Sequence, residues 1–181
     1  MPPRKIMIIR HGEKPLAGER GVDRFGEQSE FSLSVRGWQR AGALARFFAP
    51  LHDRFAHDLI ARPGAIVAAG VGEDSQSRRH IETAGPLSAL LGVAVEDCFL
   101  KHQTSQAAEY VLGLSGVALM VWEHKKIAEL VEVLTGGAVK PHPWPENRFD
   151  IVLILDDVDG EWRFSQIPEL LLAGDLEGGL D

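Results

Sequence analysis

Sulfur and tyrosine are scarce in this chain, with one cysteine, one tyrosine and three methionines among 181 residues. Cys98 alone cannot close an internal disulfide, so the cross-linked framework of small secreted domains is excluded and the fold must rest on its own core. No apolar stretch approaches the roughly 20 residues that span a bilayer. The apolar run before Arg10 is too short to read as a secretory signal. Basic residues are in deficit as well, since 19 Lys and Arg face 26 Asp and Glu and leave a formal net charge of -7. A general nucleic-acid binder needs a basic surface, so any positive potential here has to be local. The expected compartment is the cytoplasm, with no membrane and no nucleic acid among the partners.

What is present is enough apolar residue, 45% of the chain, for one domain with a sizeable core. The apolar runs are short and solid: Ile6 to Ile9, Ala65 to Ala69, Val117 to Trp122 and Ile151 to Leu155. Solid runs of that length fit strands buried on both faces, which calls for helices on each side of a sheet. Helical patterns lie between them. In "LSVRGWQRAGALARFFAP" the residues Val35, Trp38, Ala41, Leu44, Ala45 and Phe48 recur at helical spacing, with Ser34 as N-cap and Pro50 at the exit. A second helix is expected from about Ser75 to Ser77, kinked or restarted at Pro86 and ending at Gly92. "TSQAAEYVLGL" reads as a third and "HKKIAELVEVLTGG" as a fourth. The sequence "FDIVLILDD", Asp159-Gly160, "EWRFSQI" reads as a β-hairpin. The expected architecture is a three-layer α/β/α sandwich in one domain spanning 1–181, with its core at about 5–168. The sheet is mostly parallel with an antiparallel C-terminal hairpin. The charged stretch from Leu16 to Phe31 is expected to be an irregular loop, and the acidic tail after Leu172 to fray.

On that map, "IIRHGE" lies at the C-terminal end of the first strand, the edge of an open α/β sheet where ligands bind. "SQSRRHIETA" follows the second run and "WEHKKI" the third. Strand ends thus deliver two histidines, His11 and His124, and at least two arginines toward one edge.

The four segments "IIRHGE", "LSVRGWQRA", "SQSRRHIETA" and "VWEHKKI", in this order, resemble the histidine phosphatase superfamily, also called phosphoglycerate mutase-like. The resemblance runs from about Lys5 to about Leu155. It implies a phosphohydrolase with a phosphohistidine intermediate, in which His11 attacks a phosphoryl group in line. It also implies that Arg10 and Arg79 hold the phosphate oxygens and that His124 donates to the transferring group. Arg79 rather than Arg78 matches the family spacing to Thr83 and Ala84. The chemistry suits these residue types, because planar guanidinium forks fit phosphate oxygens and a neutral imidazole is a nucleophile. Gly12, Glu13 and Glu123 complete the expected substrate-binding set. No metal or other cofactor is called for, and the expected partner is a small phosphorylated substrate or a phosphohistidine protein.

The chain also departs from the family. Mutases and their sugar-phosphatase relatives carry an asparagine shortly after Arg-His-Gly, which "RHGEKPLAGE" lacks. They also carry an acid past mid-chain, where this chain has "CFLKHQTSQAAEY". Lys125 stands where histidine acid phosphatases place an aspartate. Glu123, Glu13 and His102 remain as candidates for the leaving-group acid. A short chain of this kind fits small phosphatases of the phosphohistidine-phosphatase type better than mutases. A phosphate-binding module without turnover and a phosphoglycerate mutase-like phosphotransferase are the alternatives. His52 and His57, five residues apart, do not make a metal pair on a helix, and "AGVGEDSQS" lacks the ending of a P-loop. Trp144 in "HPWPENRF" is read as packing against the core.

Overall fold

The computed structural model describes residues 4–180. Its elements run β1 (Lys5–Arg10), β2 (Gly21–Val22), β3 (Gln28–Ser29), α1 (Val35–Phe48), β4 (Ala65–Ala68), α2 (Arg79–Leu91), β5 (Val95–Glu96), α3 (Thr104–Leu112), β6 (Val117–Trp122), α4 (His124–Leu134), β7 (Ile151–Val158) and β8 (Glu161–Pro168). A six-stranded sheet has the order β5-β4-β6-β1-β7-β8. Strands β5, β4, β6 and β1 are parallel neighbours, while β7 runs antiparallel to β1 and forms a hairpin with β8.

Strand β1 shows why its run is solid rather than alternating. Ile6 and Ile8 pack with Ala107 and Val111 of α3 and Leu130 of α4. Met7 and Ile9, facing the other way, pack with Leu44 and Phe48 of α1 and Leu87 of α2. Both faces of the sheet are therefore covered, and a polar residue on either face of β1 would be buried without a partner. The result is the expected three-layer mixed sandwich.

Parallel pairing brings the C-terminal ends of β1, β4 and β6 to one edge. Because Val152 lies opposite Ile9, the antiparallel β7 starts at that same edge. Four loops thus converge where β1 gives way to His11.

Several expectations need correction. The stretch from Leu16 to Phe31 is not wholly irregular, since β2 and β3 pair within it and the Trp38 indole donates to the Val22 carbonyl at 2.7 Å. Helix α2 starts at Arg79, later than Ser77, and runs through Pro86 without a break to a left-handed Gly92 at φ 66°. Only a residue without a Cβ takes that conformation freely. Leu51–Asp53 forms a 3-10 turn after the exit at Pro50, and His52 and His57 are both exposed. The tail after Leu172 is held in place as far as Leu180, because Leu180 is buried and the Asp175 carboxylate accepts from Arg40 at 2.7 Å. Trp144 is buried in the core as expected, with its indole donating to the Arg148 carbonyl.

Candidate active site

Arg10 ends β1 almost fully buried. Its Nη1 donates to the carbonyls of Pro145, Glu146 and Arg148 at 3.2, 2.8 and 2.7 Å, and the guanidinium stacks 3.7 Å from the centre of the Phe149 ring. These contacts use one nitrogen and one face. Nε and Nη2 are buried without a partner. A buried donor left unpaired costs free energy, so a cation presenting two such groups is a ready anion cradle. Burial lowers the Arg10 pKa to about 10, against the raising charges of Glu123, Glu146 and Glu13, so the group stays cationic at neutral pH.

His11 follows, 4% exposed. Its Nδ1 lies 2.6 Å from the Gly12 carbonyl oxygen, which can only accept. The proton is therefore on Nδ1, and Nε2 carries a free lone pair. Burial, then His80, Arg10 and Arg79, hold the imidazole well below its ordinary pKa, against the opposite pull of the Gly12 carbonyl. The ring is neutral at pH 7.

The loop that carries His11 is pinned on two sides. The Gly12 amide donates to Thr83 Oγ1 of α2 at 2.8 Å. A Cβ on Gly12 would come within 2.8 Å of the Gly37 carbonyl oxygen, so only glycine lets this loop meet the start of α1. Ser34 caps that helix by accepting from the Gly37 amide at 3.0 Å, while its hydroxyl donates to the Glu13 carbonyl. Cap, loop and α2 thus fix the His11 backbone together.

The other expected residues fall unevenly. His124 opens α4, buried, with Nδ1 2.7 Å from Glu123 Oε1 but without hydrogen-bond alignment, so both its ring nitrogens count as unpartnered. Burial and then Arg10 lower its pKa. Arg79 opens α2, and its charge is felt at His11. Its Nε and Nη2 nevertheless donate to the carbonyls of Ser32 at 3.0 Å and Glu30 at 2.6 Å, so it clasps the loop beyond β3. Glu13 points into a different cluster, where both carboxylate oxygens accept from Arg40 and one from Arg36. His102 is exposed in the turn before α3. Of the three proton-donor candidates, Glu123 is the one in contact with a site histidine.

Sequence reasoning missed His80. The ring is 1% exposed, packs edge-on to His11 with centroids 4.9 Å apart, and has no partner for either nitrogen. The signal was its phase: His80, Thr83, Ala84 and Leu87 form the buried face of α2. Burial chiefly lowers its pKa from 6.5 to about 4. A histidine depressed in the folded state costs stability as acid is added, because below 6.5 the unfolded chain binds the proton first. At about 1.4 kcal/mol per pH unit, His80 should remove about 3 kcal/mol between pH 6.5 and 4. Denaturant unfolding across that range should show a shallower decline for His80→Ala than for the wild type. Identical slopes would remove His80 from the acid response.

Beside the cluster opens a cleft of about 990 Å³ whose walls include Lys14, Arg20, Glu146, Arg148 and Phe149. Phe149 and Glu146 also touch Arg10, so the cleft adjoins the anion cradle.

No protein-family model matches the sequence, and no curated protein matches it. Solved structures do match in fold. The protein histidine phosphatase SixA complexed with tungstate aligns over 91% of this chain and 97% of its own, at 15% identity and a TM-score of 0.59. YhfR of Bacillus stearothermophilus aligns over 88% and 94%, at 13% identity and a TM-score of 0.55. A mycobacterial glucosyl-3-phosphoglycerate phosphatase aligns over 89% and 96%, at 15% identity and a TM-score of 0.51. The chain therefore shares the fold of these proteins, a phosphoglycerate mutase-like α/β/α sandwich.

Proposed function

We propose that this protein is a phosphohydrolase that works through a transient phosphohistidine at His11. The observation that carries the reading is the free Nε2 of His11, held as the nucleophilic tautomer by the Gly12 carbonyl, next to the unpartnered Nε and Nη2 of Arg10. Nε2 attacks phosphorus as the leaving atom, the substrate oxygen of a phosphate ester or acyl phosphate or the ring nitrogen of phosphohistidine, departs with the bonding pair and takes up a proton. A water molecule then attacks the phosphoryl group, the P–N bond breaks, and inorganic phosphate leaves with His11 restored. Arg10 and Arg79 balance the oxygens' charge, and His124 donates to the group in transfer, so positioning and charge stabilisation provide the catalysis. Arg79 exchanges a carbonyl of the 30–32 loop for the phosphate when substrate is bound.

Glu13 is held by arginines and His102 is exposed, which leaves Glu123 to protonate the leaving oxygen. One half-buried carboxylate suits activated substrates such as phosphohistidine or acyl phosphates, which need little proton assistance. The adjoining cleft is large enough for the organic part of a phosphomonoester or for a phosphorylated side chain.

The test is release of inorganic phosphate from para-nitrophenyl phosphate, acetyl phosphate and phosphohistidine, with EDTA present throughout. Turnover of at least one, inhibited by vanadate, is expected. Stoichiometric binding of these compounds without turnover would instead make the chain a phosphate-binding module, and return of the phosphoryl group to the organic product would make it a mutase.

A further inference from the structure

Donor atoms of His11, His80 and Glu123 all lie within 4.8 Å of one another. Two of the three residues are buried and the third is half-buried. The phosphoryl chemistry above uses the His11 lone pair but leaves His80 with nothing to do. A buried imidazole with neither nitrogen paired forgoes hydrogen bonds that water would supply in the unfolded chain. A bound ligand is what would satisfy it.

The surroundings of the other two donors match those of metal ligands. The Nδ1–H of His11 is directed to a backbone carbonyl, the outer contact that typically orients a metal-bound imidazole and leaves Nε2 for the ion. Glu123 keeps Oε1 against His124, which leaves Oε2 available. Two imidazoles and one carboxylate form a borderline donor set, suited to zinc, cobalt or nickel rather than to magnesium or calcium. Tetrahedral coordination with bonds near 2.0 Å places donors about 3.3 Å apart. Small side-chain rotations close that gap, and a fourth position stays open to water.

We propose that His11, His80 and Glu123 form a binding site for a divalent transition-metal ion, typified by zinc, and that the ion inhibits the protein by occupying the nucleophilic nitrogen of His11. The inhibitory half of this proposal rests on the phosphohydrolase reading, whereas the binding half does not. The charges of Arg10 and Arg79 oppose a cation here and Glu123 alone does not cancel them. The ion is accordingly a reversible ligand that competes with the phosphoryl group, rather than a resident part of the enzyme. Occupancy by zinc and occupancy by substrate exclude each other, because both need Nε2.

Cobalt(II) titration of the full chain, followed by its visible ligand-field bands, tests binding without reference to activity. One equivalent should bind with the intense bands of a four-coordinate site, and zinc should displace it. His80→Ala should weaken binding at least tenfold, as should Glu123→Gln, which guards against a misfolded His80 variant; circular dichroism confirms the fold of each. Absence of saturable binding to the wild type, or unchanged affinity in both variants, overturns the proposal. Zinc inhibition is then read as a ratio to each protein's own rate in EDTA. The wild type should fall more than tenfold and His80→Ala less than twofold, whereas equal inhibition of both places the inhibitory ion elsewhere. If no substrate is turned over at all, the functional reading fails while the cobalt titration still decides whether the site exists.

Discussion

Replacing His11 with alanine should abolish turnover, with a fall of at least about 10⁴-fold in kcat for any substrate the wild type hydrolyses. The structure gives three reasons for so large an effect. Among the residues brought to this edge, His11 alone combines an oriented tautomer, a free lone pair and an adjacent unpaired guanidinium. Its depressed pKa keeps the ring unprotonated, so the proposed nucleophile is ready across the neutral range. Its neighbour His80 lies edge-on at 4.9 Å and belongs to helix α2, so it does not inherit the position the Gly12 carbonyl sets. The variant should still bind phosphate or vanadate, because Arg10, Arg79 and His124 remain. Retained turnover, or loss of anion binding in a folded variant, would contradict the assignment.

The second large effect lies away from the chemistry. Arg40, on the buried face of α1, donates to Glu13 at 2.8 Å, Glu169 at 2.7 Å and Asp175 at 2.7 Å. Burial by itself would lower its pKa, but the hydrogen bonds of Asp175 and Glu13 and the charge of Glu169 outweigh it and raise the group. One guanidinium therefore joins the loop after His11, the end of β8 and the C-terminal segment. Arg40→Ala leaves those carboxylates facing one another, and breaking a buried pair on one side costs about 3–5 kcal/mol. For a chain of this length that is a Tm lower by roughly 10 °C. The deficit should narrow below about pH 4, because Asp175, which the hydrogen bond from Arg40 holds below its ordinary carboxylate range against the effect of burial, loses that stabilisation as it is protonated. A variant melting within about 2 °C of the wild type would show that the cluster is dispensable.

Arg40 also illustrates what the sequence could and could not disclose. The solid runs in β1, β4, β6 and β7 were legible because burial on two faces leaves no room for polar alternation. The Asp159-Gly160 turn and the Ser34 cap were legible because each is settled by a few adjacent residues. The partners of Arg40 come from positions 13, 169 and 175, and nothing local in the sequence couples them. The tail looked loose for this reason, since its Asp175 reads as a surface acid until Arg40 is set against it. In the site, Arg10 and His11 were readable from their place at a strand end. His80 was not, because a histidine beside two arginines in the first turn of a helix looks solvated unless the phase of Thr83, Ala84 and Leu87 is followed back to it. Glu13 shows the converse: it stands two residues after His11 in the chain and lines the adjoining cleft, yet its carboxylate is turned to Arg40.

The most direct measurement is to stop turnover of the wild type in alkaline denaturant and map phosphate by mass spectrometry. The account predicts a phosphoryl adduct on the peptide bearing His11, lost on acid treatment and absent from His11→Ala. Continued turnover with no adduct on that peptide, or an adduct on another residue, would contradict it.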